Sequence, residues 1–159
     1  MRIFLDANIL FSAAKSDGAI RQLLERVVAA RHECWADGFV VEEARRNLVA
    51  KAPDRIAELA VLLARINVAP TQGRDAGLEA TLPLPEKDRP VLAAAIRIGC
   101  SALVTGDKTH FGRLYGTTLH GVTLHSPRSL AEAIGIAGPG RNKAQENRAA
   151  YGSRRSRRK

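Results

Sequence analysis

At 159 residues the chain has the length of one domain with a sizeable core, and 45% hydrophobic with 26% charged residues is the composition of an ordinary soluble protein. No apolar run reaches the ~20 residues of a membrane span, and the Met-Arg-Ile-Phe-Leu-Asp start has neither the apolar length nor the small-residue cleavage site of a secretory signal. Residues 141–159 hold eight of the 25 Lys/Arg and one of the 16 Asp/Glu, so this segment is +7 of the net +9 and residues 1–140 are only mildly basic.

In chain order, Ile3-Phe4-Leu5 reads as a buried strand that runs out at Asp6-Ala7-Asn8. Ile9–Ala14 is apolar and opens a helix, which Asp17-Gly18 breaks. Ile20, Leu23, Leu24, Val27 and Val28 then mark an amphipathic helix over Ala19–Ala30. His32–Ala36 is a second strand, with Asp37 as N-cap of a helix over Phe39–Val49. Pro53 suits the first turn of a helix running to about Ala64, and Asn67–Pro70 is a short edge strand. Gly73, Gly77, Pro83 and Pro85 make most of 71–87 loop. A helix opens at Asp88 and ends at Gly99. Ser101–Thr105 is a strand closed by Gly106-Asp107, Lys108–Leu114 a short helix, Val122–Leu124 the last strand, and Pro127–Ile134 the last helix, capped by Ser126.

Strands alternating with helices at this spacing predict βαβ units: an α/β fold of three layers, α/β/α, around a mainly parallel sheet of four to five strands. We expect the domain to span 1–138, followed by a disordered basic tail over 139–159, which is charged and lacks core residues. Cys34 and Cys100 lack zinc-ligand spacing and read as buried free thiols in a reducing cytoplasm.

Asp6, Asp88 and Asp107 each have a simple explanation as helix caps. Their joint placement points elsewhere. Asp6 and Asp107 both end strands on the carboxyl edge of a parallel sheet, where open α/β sheets bind ligands. Asp88 opens the helix feeding the second of those strands. Carboxylates gathered there repel and raise each other's pKa, and a divalent cation such as Mg²⁺ removes the repulsion. A fourth acid is expected from the Phe39–Val49 helix, where Glu43 borders the apolar face and Glu42 points further away.

Four stretches carry a family likeness: Leu5-Asp6-Ala7-Asn8, Val41-Glu42-Glu43-Ala44-Arg45-Arg46-Asn47-Leu48, Glu86-Lys87-Asp88-Arg89-Pro90-Val91-Leu92-Ala93-Ala94-Ala95 and Leu103-Val104-Thr105-Gly106-Asp107. In order and spacing they resemble the PIN domain over roughly residues 2–135. The resemblance implies a Mg²⁺- or Mn²⁺-dependent nuclease of the VapC toxin type, with Asp6, Glu43, Asp88 and Asp107 as catalytic and metal-holding acids. It also implies Asn8 and Thr105 as supporting hydrogen-bonding residues. The positions after Asp107, where some members carry one more acid, are Lys108, Thr109 and His110 here, which leaves open whether one or two ions bind.

The chemistry expected is endoribonucleolytic hydrolysis of RNA phosphodiesters, for which a metal-activated water suffices and no nucleophilic side chain is needed. Lys108 and His110 are candidates for contact with the scissile phosphate. Arg154, Arg155, Arg157 and Arg158 are candidates for a salt-sensitive, sequence-independent phosphate arm. RNA is the expected substrate, with a cognate antitoxin as a partner that the resemblance implies and homodimerisation common in the family. The alternatives are a nucleic-acid-binding or regulatory module without catalysis and a nuclease acting on DNA. Metal titration separates them, because a helix cap does not need Mg²⁺.

Overall fold

The computed structural model describes residues 1–136; the basic tail expected over 139–159 lies outside the described residues. Six strands form one sheet: β1 (Arg2–Leu5), β2 (Glu33–Asp37), β3 (Asn67–Ala69), β4 (Ala102–Val104), β5 (Thr118–Leu119) and β6 (Val122–His125). Their order is β3-β2-β1-β4-β6-β5. All pairings are parallel except β5 with β6. The five parallel strands are those expected from the sequence. The sixth, two residues long, joins through a turn at His120 (φ 48°) and Gly121 (φ 81°), the positive-φ pair of a tight hairpin.

Ile3, Phe4 and Leu5 point alternately to the two faces of the sheet, and all three are fully buried. Both faces of β1 are therefore covered, as a parallel sheet requires. The helices are α1 (Ala7–Lys15), α2 (Ala19–Ala29), α3 (Gly38–Lys51), α4 (Ile56–Leu63), α5 (Ala76–Ala80), α6 (Arg89–Ile98), α7 (Lys108–Phe111) and α8 (Pro127–Ala133). α1 packs against α2, α3 and α4, and α6 against β4 and α5. Among the described residues no helix is long and apolar enough to cross a membrane.

Three local outcomes differ from the sequence reading. The helix expected from Pro53 begins as a 3₁₀ turn over Pro53–Arg55 before α4. The stretch expected to be mostly loop holds α5, which Asp75 caps by accepting from Leu78 N at 3.0 Å. The helix after Asp107 is α7 for one turn and then a 3₁₀ turn over Gly112–Leu114.

The topology fixes where a site can form. The chain winds outward from β1 through β2 to β3, then returns to lay β4 on the other side of β1. Connections leaving β1 and β4 diverge at their carboxyl ends and open a crevice between them. The register pairs Leu5 with Val104, so Asp6 and Thr105 face each other at its base.

A candidate acidic site at the carboxyl edge

Asp6 is the first residue beyond β1 and the N-cap of α1. Its Oδ1 accepts from Ala7 N at 2.7 Å. Its Oδ2 accepts from Thr105 Oγ1 at 2.7 Å and from Asn8 Nδ2 at 3.1 Å. The Thr105 hydroxyl, fully buried, spends its one proton on Asp6 and accepts from Asn8 Nδ2 and Asp107 N. Asn8 completes the bridge by accepting from Gly106 N at 2.8 Å. One threonine and one asparagine thus tie the end of β1 to the end of β4 and leave one acceptor position open on Asp6 Oδ1.

Burial pushes the Asp6 carboxyl up to about 6 from its ordinary 3.8. The bonds from Thr105 and Ala7 pull it down, and the charges of Glu43 and Asp88 push it up again. Glu43 on α3 and Asp88 at the start of α6 are therefore both near enough for their charges to act on Asp6. Glu43 is half-buried on α3, whereas Glu42 is exposed and pairs with Arg45 at 3.2 Å. The helix turns one glutamate toward the site and the other away, as the apolar face of α3 (Val40, Val41, Ala44, Leu48) dictates.

Asp107 caps α7 through Oδ1, which accepts from His110 N at 3.2 Å. Its Oδ2 lies 2.6 Å from His110 Nδ1. Burial works against its ionisation, but these His110 bonds outweigh it and hold the carboxyl below its ordinary value. The same imidazole nitrogen is 3.5 Å from Asp88 Oδ2. Asp88 stands at the N-cap position of α6 yet makes no capping bond, and its buried Oδ2 has no hydrogen-bond partner. Oxygens of Asp88 and Asp107 and a nitrogen of His110 lie within 4.8 Å of one another.

The donor set is one that a divalent cation could occupy. Hard carboxylate oxygens such as those of Asp88 and Asp107 suit Mg²⁺ or Mn²⁺, and a buried carboxylate oxygen without a hydrogen bond, as Asp88 Oδ2 is, favours a cation beside it. Of the residues singled out from the sequence, Asp6, Asn8, Thr105, Asp88, Asp107 and His110 are linked by direct contacts, and Glu43 through its charge. Lys108 is exposed in the first turn of α7. Arg154, Arg155, Arg157 and Arg158 lie outside the described residues.

Two members escaped the sequence reading. Tyr115 Oη donates to Thr105 O at 2.8 Å; burial, and then the charges of Asp107 and Asp6, push its phenol up. Gly106 supplies the N–H that fixes Asn8. Gly106 lies within a family-like stretch, but a role played through its backbone N–H leaves no mark in the residue type, and Tyr115 carries no periodic or motif signal that points to the site.

Fold and site together define an α/β/α domain with a group of acids at the switch point of its sheet. The chain belongs to the PIN domain family, whose model matches residues 2–109. Among solved structures, VapBC2 from Rickettsia felis, bound to a DNA fragment from its promoter, has a TM-score of 0.59 at 18% identity, over 79% of this chain and 98% of that one. Mycobacterium tuberculosis VapC20, a sarcin-ricin loop cleaving toxin, has a TM-score of 0.49 at 16% identity, over 67% of this chain and 91% of that one. At such identities the likeness is one of fold. No curated protein matches the chain.

Proposed function

We propose that the protein is a Mg²⁺- or Mn²⁺-dependent endoribonuclease of the VapC toxin type, with a cognate antitoxin as its protein partner. The observation that carries the reading is Asp88. Its carboxylate caps nothing, and its buried Oδ2, beside Asp107 and 3.5 Å from His110 Nδ1, accepts no hydrogen bond. A purely structural aspartate would be hydrogen-bonded, because an unmet buried acceptor costs about 1–3 kcal/mol. Membership of the PIN family and the VapBC2-like fold support the toxin assignment.

Asp6, Glu43, Asp88 and Asp107 are assigned to hold the metal and to take the proton of the attacking water. When bound, the cation supplies Lewis acidity and neutralises charge on the phosphate. Thr105 and Asn8 fix the Asp6 carboxylate, so it needs no reorientation when substrate arrives. His110, held on Asp107, is placed to be displaced onto a phosphate oxygen once the acids engage a cation. Lys108 and the arginines at 154, 155, 157 and 158 are proposed as phosphate contacts.

The test is to incubate the protein with single-stranded and structured RNA in Mg²⁺, Mn²⁺ and EDTA, beside Asp88→Asn and Asp107→Asn. We expect metal-dependent cutting by the wild type and its loss in both variants, with their circular dichroism unchanged. RNA that is bound but left intact in every metal would return the acids to a non-catalytic role. Cutting of DNA alone would move the substrate.

A further inference from the structure

We infer that Lys15 and Lys51, gathered on the ring of Phe11, form a phosphate-binding site for the RNA strand about three nucleotides from the bond that is cut. The inference rests on the ribonuclease reading above and adds to it a substrate subsite made by α1 and α3. The two ammonium groups each lie 5.6 Å from the centroid of the Phe11 ring. They belong to different helices, which pack against each other. Both lysines are exposed, and neither is in an ion pair with a carboxylate among the described residues.

Two like charges brought to one ring repel, and the quadrupole of the ring offsets part of that repulsion. Phe11 is itself partly buried against the core, so the platform is rigid. An unneutralised pair of cations held in place by a fixed aromatic is a site that lacks its anion. A polyanionic strand supplies one.

The placement links this pair to the acids. Asn8, Phe11 and Lys15 share one face of α1 at i, i+3 and i+7, and Glu43, Asn47 and Lys51 share one face of α3 at i, i+4 and i+8. Both stripes therefore begin at the acidic centre and end at the lysines. With a rise of 1.5 Å per residue, the lysines stand about 10–12 Å along the helices from Asn8 and Glu43. A stacked strand advances about 3.4 Å per nucleotide, which places the contact about three nucleotides away.

The test compares the full-length wild type with Lys15→Gln/Lys51→Gln and Lys15→Arg/Lys51→Arg, on a fluorescent single-stranded RNA of about a dozen nucleotides. Binding is read by anisotropy in EDTA over a salt series, and KM and kcat in Mg²⁺. Two lost contacts to a single strand lower the slope of log K against log salt by about 1.4, so the affinity lost between about 50 and 200 mM salt shrinks about sevenfold. We expect that change, with a raised KM, in the Gln pair, and its rescue in the Arg pair. If the wild type cuts RNA and the Gln pair keeps its salt slope and KM, the subsite is overturned and the nuclease assignment stands. If the wild type neither binds nor cuts RNA, both fall together.

Discussion

Asp6 gives a prediction that depends on physical chemistry alone. Its carboxyl is pushed from 3.8 to about 6 in the folded chain, chiefly by burial. The folded state therefore holds this proton to higher pH than the unfolded chain does, and stability falls as pH rises between those two values. The gap between 3.8 and about 6, at about 1.36 kcal/mol per pH unit, makes the loss about 3 kcal/mol, complete by about pH 7. Asp6→Asn has no proton to lose, so its stability should lack this component. Asp37, also raised by burial, and His125, lowered by burial, titrate in both proteins and cancel in the difference. Asp107 is held below its ordinary value; its stabilisation is present above about pH 4 and fades only below it, outside the window. The assay is urea unfolding followed by circular dichroism, in EDTA, at steps between about pH 4 and 7. Over this window the gap between the two proteins should drift by about 2.4 kcal/mol in favour of Asp6→Asn as pH rises, the remainder having been lost below about pH 4. Any fixed offset from mismatched amide hydrogen bonds does not affect the drift. Parallel curves would refute the reasoning. Saturating Mg²⁺ should remove most of the wild-type loss, and Mg²⁺ affinity should be about tenfold weaker at pH 5 than at pH 7, because the ion competes with that proton.

Thr105→Val keeps the shape of a fully buried residue but strips the hydroxyl from Asp6, Asn8 and Asp107 N. We expect Mg²⁺ affinity or RNA cutting to fall about 10–100-fold, the usual cost of removing a partner that orients a ligand, as read by calorimetry and initial rates. Glu43→Gln should lower the Asp6 pKa in a carboxyl NMR titration and impair cutting, whereas Glu42→Gln, on the exposed Arg45 pair, should do neither. Equal effects from the two would place the acids wrongly on α3. Leu103→Ala, in the central strand β4 and fully buried, should cost about 2–5 kcal/mol in chemical denaturation; less than about 1 kcal/mol would mean that β4 is not core.

The parallel sheet was legible because its strands are short apolar runs next to helices with clear periodicity. β1 and β4 read as continuous apolar stretches, and the structure buries every residue of Ile3–Leu5 and Ala102–Val104 for the reason that makes them continuous: helices lie on both faces. What escaped were elements too short to show a period. α5 is five residues long, lies among glycines and prolines, and is defined by its Asp75 cap more than by an apolar face. The β5–β6 hairpin depends on His120 and Gly121 at positive φ, and a His-Gly pair is a weaker signal than Asn-Gly. In each case one or two residues, a cap or a turn pair, carried the information. The buried thiols were legible: Cys34 and Cys100 are free and buried, and burial pushes them up to about 12 and about 11.

The acids show where sequence stops and geometry begins. Asp6, Asp37, Asp75, Asp88 and Asp107 all precede helices; strand-end placement and the family likeness single out Asp6, Asp88 and Asp107, but residue type alone does not say which of the five are consumed by capping. The backbone does. Asp6 and Asp37 are extended, with ψ of 160° and 173°, and both bond amides of the helix that follows. Asp75 and Asp107, with ψ of 88° and 85°, do likewise. Asp88 is already helical at φ −97°, ψ −14°, because the 3₁₀ turn Glu86–Asp88 runs straight into α6. From that conformation its side chain does not fold back over the first turn, and Pro90, within that turn, has no N–H to offer. Pro90, a residue suited to the first turn of a helix, therefore also removes a capping donor. It leaves the Asp88 carboxylate beside Asp107 and His110 with an oxygen unmet. In this fold the same local device that begins α6 supplies the acidic site with a carboxylate that the backbone does not consume.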